Sequence, residues 1–259
     1  MSLNRRDFLK IAGITALGVG AASAFEVLSG KQLEAALKAA PLTAGKRWAM
    51  VVDIRKLREE DYHDVVTACH TSHNVPDFSG TKDEIKWIWA EPFENAFPDS
   101  PNEYVKPEVK DKPFLVFCNQ CGDAPCVRVC PTKATFKGPD GITMMDMHRC
   151  IGCRYCMAAC PYGARSFNFR DPRTYFADKE VPNREFPTRT RGVVEKCNFC
   201  TERLAKGLYP ACVEACKSNA LIFGDLDDPN SEVRRVLRAN FSIRRKPQLG
   251  TDPSIFYIV

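Results

Sequence analysis

Thirteen cysteines stand in a chain of 259 residues, and all but Cys69 fall into three runs between Cys118 and Cys216. The first is Cys118-x2-Cys121-x4-Cys126-x3-Cys130-Pro131. The second is Cys150-x2-Cys153-x2-Cys156-x3-Cys160-Pro161. The third is Cys197-x2-Cys200-x11-Cys212-x3-Cys216-Lys217. Thiolates at this density and cadence bind soft metal centres. A tight loop with a cysteine at every third residue wraps three corners of a metal–sulfur cage, and its free backbone N–H groups soften the charge on the sulfurs. The fourth cysteine of each run lies at i+4 from the third, one helical turn further on. A helix leading away from the loop carries that thiolate toward a neighbouring cage, and the proline behind it stops the helix.

The second run has the spacing of bacterial ferredoxins, in which the fourth cysteine ligates the other cluster of a pair. Crosswise pairing of the first two runs predicts one [4Fe–4S] cluster on Cys118, Cys121, Cys126 and Cys160. It predicts a second on Cys150, Cys153, Cys156 and Cys130. Zinc is the competing reading of Cys-x2-Cys pairs. It needs only four ligands from two pairs and gives no reason for four cysteines per run with Cys-Pro endings. The same spacings argue against a disulfide framework.

The elements that must position these loops are short. Trp48–Asp53, Phe114–Phe117, Ala134–Phe136, Ile142–Met145, Ser166–Phe169 and Leu221–Phe223 read as strands, and Pro139-Asp140-Gly141 as a turn. Short helices are expected to begin near Pro125, Arg154, Thr201 and Pro210. Gln32–Ala40 reads as helical, and Asn230–Asn240 as an amphipathic helix capped near Asp228-Pro229. Two stretches lie outside this plan. Residues 77–112 carry Trp87, Trp89, Phe93, Phe97 and Tyr104 among prolines. Residues 171–192 carry Arg173, Lys179, Arg184, Arg189 and Arg191 with Tyr175, Phe176 and Phe186. Each fits a docking surface or a cover that keeps water from the metal.

With 44% hydrophobic and 27% charged residues the composition is globular, which excludes a disordered or collagen-like chain. No apolar run beyond the N-terminus reaches the ~18 residues of a membrane span. At the N-terminus, Arg5-Arg6-Asp7-Phe8-Leu9-Lys10 and the apolar run Ile11–Ala24 resemble a Tat export signal, with Ala22-Ser23-Ala24 as a cleavage site. An uncleaved signal would serve as an anchor, and an amphipathic first helix is the bland alternative. Tat export delivers folded, cofactor-loaded proteins, so a cluster built inside the cell would reach the periplasm or the outer face of the cytoplasmic membrane intact. The formal charge is +5. Residues 1–24 contribute Arg5, Arg6 and Lys10 against Asp7, so the remainder carries +3. Three oxidised clusters with their thiolates, at roughly −2 each, would make the total roughly −3. The basic isoelectric point therefore lends no support to nucleic-acid binding.

Trp48-Ala-Met-Val-Val-Asp-Ile-Arg-Lys-Leu57 and Thr67-Ala-Cys69-His-Thr-Ser-His-Asn-Val-Pro76 resemble the start of the iron–sulfur subunits of the dimethyl sulfoxide reductase type, found beside polysulfide and tetrathionate reductases. The resemblance spans about residue 47 to the end. It implies an α+β fold of two ferredoxin-like [4Fe–4S] modules with long insertions. The outer module would join residues 47–76 to 193–225, the inner would span 113–170, a linker would occupy 25–46, and a C-terminal helix and tail 226–259. The family has a complete four-cysteine run here. This chain has Leu57 where the first cysteine is expected, no cysteine in 58–68, and what reads as a lengthened loop. The resemblance then implies that one of four clusters is missing and that a third survives on Cys197, Cys200, Cys212 and Cys69, with Cys216 free. The competing assignment uses Cys216 and frees Cys69. His63, His70, His73 and His148 have no metal spacing among themselves. His70 reads as a polar residue near a loop or partner, or as an unusual cluster ligand.

Asp83-Glu-Ile-Lys-Trp-Ile-Trp89 and Glu91-Pro-Phe-Glu-Asn-Ala-Phe-Pro98, with the Tat-like start and the depleted first run, resemble the periplasmic subunit type of the sulfite-reduction-associated DsrMKJOP complexes. That resemblance implies an NrfD-like membrane subunit (DsrP), a triheme cytochrome c (DsrJ), and DsrM and DsrK as partners. Every expected cluster corner has a cysteine, and no nucleophile–base set is visible. The expected role is electron transfer without catalysis, and a missing cluster is compatible with it only at one end of the relay.

Overall fold

The computed structural model describes residues 46–78, 80–100, 104–178 and 180–259. The Tat-like signal, the Gln32–Ala40 helix and Lys179 lie outside the described residues. Among them, no helix is long and apolar enough to cross a membrane.

In chain order the elements are β1 (Trp48–Asp53), α1 (Glu59–Ser72), β2 (Ile88–Glu91), α2 (Phe93–Ala96), α3 (Pro107–Lys110), β3 (Phe114–Phe117), α4 (Pro125–Arg128), β4 (Thr135–Lys137), β5 (Thr143–Met145), α5 (Tyr155–Ala158), β6 (Ser166–Phe167), α6 (Pro172–Tyr175), β7 (Val194–Glu195), α7 (Thr201–Leu204), α8 (Ala211–Ala215), β8 (Leu221–Asp225), α9 (Glu232–Ala239), β9 (Ser242–Ile243) and β10 (Ile255–Ile258). This is a mixed α and β fold of small sheets. The largest has the order β8-β1-β10-β9, and β2-β3, β4-β5 and β6-β7 form two-stranded pairs.

β1 is central because both of its faces are apolar, as expected of a strand covered on both sides. Met50 and Val52 enter the main core, while Ala49 and Val51 face Val233 of α9. β1 pairs antiparallel with β8, with Trp48 opposite Asp225, and parallel with β10, with Met50 opposite Ile255, so segments from the two ends of the described chain share one sheet. The closing strand β10 was not expected from its residues. α9 is capped by Ser231, whose hydroxyl accepts from the Arg234 N–H at 3.3 Å, rather than near Asp228-Pro229.

The largest departure is α1. Residues read as a lengthened loop form a 14-residue helix. Glu59, Glu60 and Asp61 occupy its first turn, where acidic groups are stabilised by the helix dipole. Asp61 also accepts from the Arg58 N–H at 2.9 Å. The helix buries Asp61, Val65 and Cys69, which lie four residues apart on one face. Its seat is on α8, and Asp61 reaches the backbone N–H of Ser218 at 3.3 Å. Leu57, at the position of the expected first cysteine, is in the core.

The two insertions are also ordered parts of the fold. β2 pairs with β3, and Trp87, Ile88 and Phe97 are buried in the main core. Phe93 packs against them. Trp87, Phe93 and Phe97 therefore cover the interior and form no docking surface. In the second insertion, Phe186 is buried and Arg189 forms an enclosed ion pair with Glu195 at 2.8 Å. Trp87 Nε1 donates to the same carboxylate at 2.7 Å, and Arg189 donates to the carbonyls of His73 and Asn74 at 2.6 and 2.9 Å. Glu195 thus ties both insertions to the end of α1, with its charge fully partnered as burial requires.

Candidate metal centres

Each cysteine run folds through the same turns. In each Cys-x2-Cys loop an intervening residue is left-handed: Gln120 (φ 45°), Gly152 (φ 70°) and Phe199 (φ 56°). That reversal brings successive thiols to one side of the backbone. Only at position 152 is glycine required by contact as well, since a Cβ there would lie 2.3 Å from the Gly192 carbonyl. A second left-handed residue stands three positions beyond each fourth cysteine: Lys133 (φ 55°) after Cys130, Gly163 (φ 64°) after Cys160 and Asn219 (φ 52°) after Cys216. The N–H of each bonds back to the cysteine carbonyl at 3.1–3.5 Å. Strands β4, β6 and β8 follow these turns. The conformation repeats three times although the residue types in it differ. Cys216 has kept the backbone of a reciprocal ligand.

The structure gathers thiols from different runs. Cys121 has Cys118, Cys126 and Cys160 as charged neighbours, and burial, with Cys118 next, pushes its thiol up to about 12. Cys156 lies among Cys150, Cys126 and Cys130. Cys153, the fourth member expected there, is exposed in the same loop. Cys212 lies among Cys69, Cys200 and Cys197, and burial pushes its thiol far up. Cys197 also faces Cys118, and Cys156 faces Cys126. The group containing Cys118 and Cys126 is therefore a neighbour of both others. Cys216 is buried and its Sγ lies 3.5 Å from the Ser218 hydroxyl.

These groups fit a metal–sulfur cage by their own chemistry. Buried thiols crowded together resist ionisation. They deprotonate together only around a cationic core that compensates burial and mutual repulsion. N–H groups already point at sulfur: Thr135 to Cys130 at 3.4 Å, Val194 to Cys150 and Phe199 to Cys197, both at 3.5 Å. Buried cations stand alongside. Arg165 lies beside Cys126 and Cys156 and donates to Thr135 Oγ1 at 3.2 Å. Lys196 Nζ donates to the Cys197 carbonyl at 2.8 Å and to that of Thr143. They offset the negative charge a thiolate-bound cage brings into a dry interior.

His73 was missed in the sequence. It sits one helical turn beyond Cys69, and that i+4 relation was the available signal. Its ring stacks on Trp87 with centroids 4.3 Å apart, Nδ1 lies 2.8 Å from the Cys69 carbonyl, and Nε2 lies 2.8 Å from Glu202. Burial opposes its protonation, but hydrogen bonds to Cys200, Cys69 and Glu202 raise it well above the ordinary histidine range. His73, Cys200 and Glu202 lie close enough together to hold an ion by themselves. Cys200 also belongs to the cysteine group of Cys212, so the histidine and carboxylate act as its polar wall. His70, next to Cys69 in the chain, is held in its neutral form. Burial pushes it down to about 4, and its charged neighbours are Asp77, His73, Glu195 and Arg189.

A family model for a 4Fe-4S dicluster domain matches residues 114–179 and 178–226. The chain is thus a [4Fe–4S] protein of the electron-transfer class. It is 44% identical over 235 residues to the Hdr-like menaquinol oxidoreductase iron-sulfur subunit 1 of Archaeoglobus fulgidus, covering 82% of this chain and 83% of that one. It is 39% identical to the arsenate respiratory reductase iron-sulfur subunit ArrB of a Shewanella species, over 82% and 96% of the two chains. One of the tetrathionate reductase subunits of Salmonella typhimurium is 33% identical, over 82% and 72%. The chain belongs to this family of iron–sulfur subunits of oxidoreductase complexes.

Proposed function

We propose that the chain holds three [4Fe–4S] clusters and relays electrons between an NrfD-like, quinone-interacting membrane subunit and a multihaem cytochrome c. Cluster 1 takes Cys118, Cys121, Cys126 and Cys160. Cluster 2 takes Cys150, Cys153, Cys156 and Cys130. Cluster 3 takes Cys197, Cys200, Cys212 and Cys69. The carrying observation is the grouping of thiols across runs in the sequence 3–1–2. Bound clusters supply one-electron chemistry and exchange electrons with near neighbours. The protein's own residues hold the cages, exclude water through Trp87 and Phe199, and offset charge with Arg165 and Lys196. No residue is assigned a catalytic role.

By the crosswise pairing, a fourth cluster would have been the partner of cluster 3, with Cys216 as its reciprocal ligand. Seating α1 on α8 and tying Asp61 to Ser218 supports its absence. That position is terminal in the 3–1–2 sequence, so the relay stays unbroken. The cysteine loops and short paired strands support two ferredoxin-like modules. The finer reading is a DsrO-type subunit of a DsrMKJOP complex in dissimilatory sulfur metabolism, with DsrP, DsrJ, DsrM and DsrK as neighbours. It would be exported by Tat to the outer face of the cytoplasmic membrane. The likeness to the tetrathionate reductase of Salmonella typhimurium favours a second reading, the iron–sulfur subunit of a polysulfide- or tetrathionate-type reductase, with a molybdopterin subunit in place of the cytochrome. A zinc-holding adaptor is the reading from another class.

The test is redox titration of the complex isolated without oxygen. Menaquinol is expected to bleach the broad absorbance at about 400 nm, and the cytochrome partner to restore it. A colourless, zinc-loaded chain would overturn the proposal, as would a coloured chain that no quinol reduces. Copurification with a molybdopterin subunit would select the second reading.

A further inference from the structure

The three cysteine groups differ in their access to solvent. Cys69, Cys200 and Cys212 are buried with Cys197 half-buried, and Cys118, Cys121 and Cys126 are buried as well. In the Cys150–Cys156 loop only Cys156 is buried, and Cys153 is exposed. This loop is held on one side and open on the other. Gly152 packs against the Gly192 carbonyl and the Phe167 ring, leaving no room for a Cβ. From the same loop Ile151 and Tyr155 project into solvent, 67% and 62% exposed. Phe169 is exposed beside them, linked through Arg154, whose guanidinium stands 5.3 Å over Phe167 and 5.8 Å over Phe169. Val129 is exposed at the end of α4, which packs on α5.

A cluster of exposed apolar side chains around one metal loop marks an interaction surface more strongly than scattered ones do. Its border is basic. Arg128, Lys133, Arg149 and Arg154 are all exposed. Asp123 and Asp146 are the acidic groups paired with that border, to Arg128 and Arg149. An apolar centre with a charged rim is the usual anatomy of a transient interface. With Arg128 and Arg149 paired to aspartates, Lys133 and Arg154 leave the rim net positive, and a net charge steers a partner of the opposite sign.

We propose that the face around Ile151, Tyr155 and Phe169 docks an acidic electron-transfer protein, whose contact surface is apolar at its centre and carboxylate-rich at its rim. Its redox centre would then lie against the loop that carries Cys153. The inference rests on the cluster reading above and adds the site and chemistry of the partner.

The test uses the full chain with its clusters, after its iron content has been measured. The probe is oxidised flavodoxin, an acidic redox protein with a solvent-edge flavin, and basic mitochondrial cytochrome c is the control of opposite charge. Binding is followed by calorimetry over a range of salt. Flavodoxin is expected to bind with an affinity that falls as salt rises, and cytochrome c to bind far more weakly. The double variant Arg149→Glu, Arg154→Glu is expected to weaken flavodoxin binding about tenfold and flatten its salt dependence. Ile151→Ser, which leaves charge unchanged, is expected to weaken binding while keeping the salt slope. Arg238→Glu, on the exposed side of α9, is expected to change neither. Equal binding by the double variant would overturn the proposal, as would an equal loss in Arg238→Glu. Adsorption to phosphatidylglycerol vesicles through the same arginines, without flavodoxin binding, would overturn it in favour of a lipid surface. A chain with little iron would instead contradict the cluster reading.

Discussion

Replacing Cys69 with alanine is expected to remove one whole cluster, with about a third of the bound iron. Cys216→Ala is expected to leave the iron content unchanged. The two cysteines are equally buried, so the contrast does not come from exposure. Cys69 points from α1 into the group formed by Cys197, Cys200 and Cys212. Cys216 sits in a turn with the geometry of Cys130 and Cys160, and its thiol lies against Ser218. α1 packs on the helix that leads into this turn, and Asp61 of α1 accepts from the Ser218 N–H. Iron analysis and low-temperature electron paramagnetic resonance of the reduced variants check both outcomes. Loss of iron in Cys216→Ala with retention in Cys69→Ala would reverse the assignment.

What could be read from the sequence was what local chemistry dictates. The cysteine cadence carried the pairing expectation. β1 and β3 stood out as apolar runs, and α4 begins at Pro125 and α8 directly after Pro210 because proline suits the start of a helix. α1 was not legible because its buried face places Asp61 where an apolar residue would have marked the helical period. That aspartate is tolerated only through its bonds to Arg58 and Ser218. The second bond joins residues 157 positions apart. The cations Arg165 and Lys196 were invisible for the same reason, since nothing near them in the chain announces a buried charge. β10 is short and terminal, and it is a strand because β1 offers a free edge.

Cys160→Ala is expected to remove the central cluster and break the relay, though Cys160 follows the second run directly. Its charged neighbours are Cys118 of the first run and Arg165. The variant should lose the cluster on Cys118, Cys121 and Cys126 and keep that on Cys150, Cys153 and Cys156. Because the first group neighbours both others and is proposed as the middle of the relay, electron transfer from quinol to cytochrome should fall by orders of magnitude although about two thirds of the iron remains. Stopped-flow reduction of the variant complex, with iron analysis of the same sample, measures both. If the relay continues and the second loop empties instead, Cys160 closes the cage of its own loop and the crosswise arrangement is wrong.

Iron and acid-labile sulfide, counted per chain in protein prepared without oxygen, bear most directly on the three-cage account. It requires about twelve of each. Sixteen of each, to about one unit, would mean that α1 does not displace the fourth cage, and the absence of inorganic sulfide would remove all three.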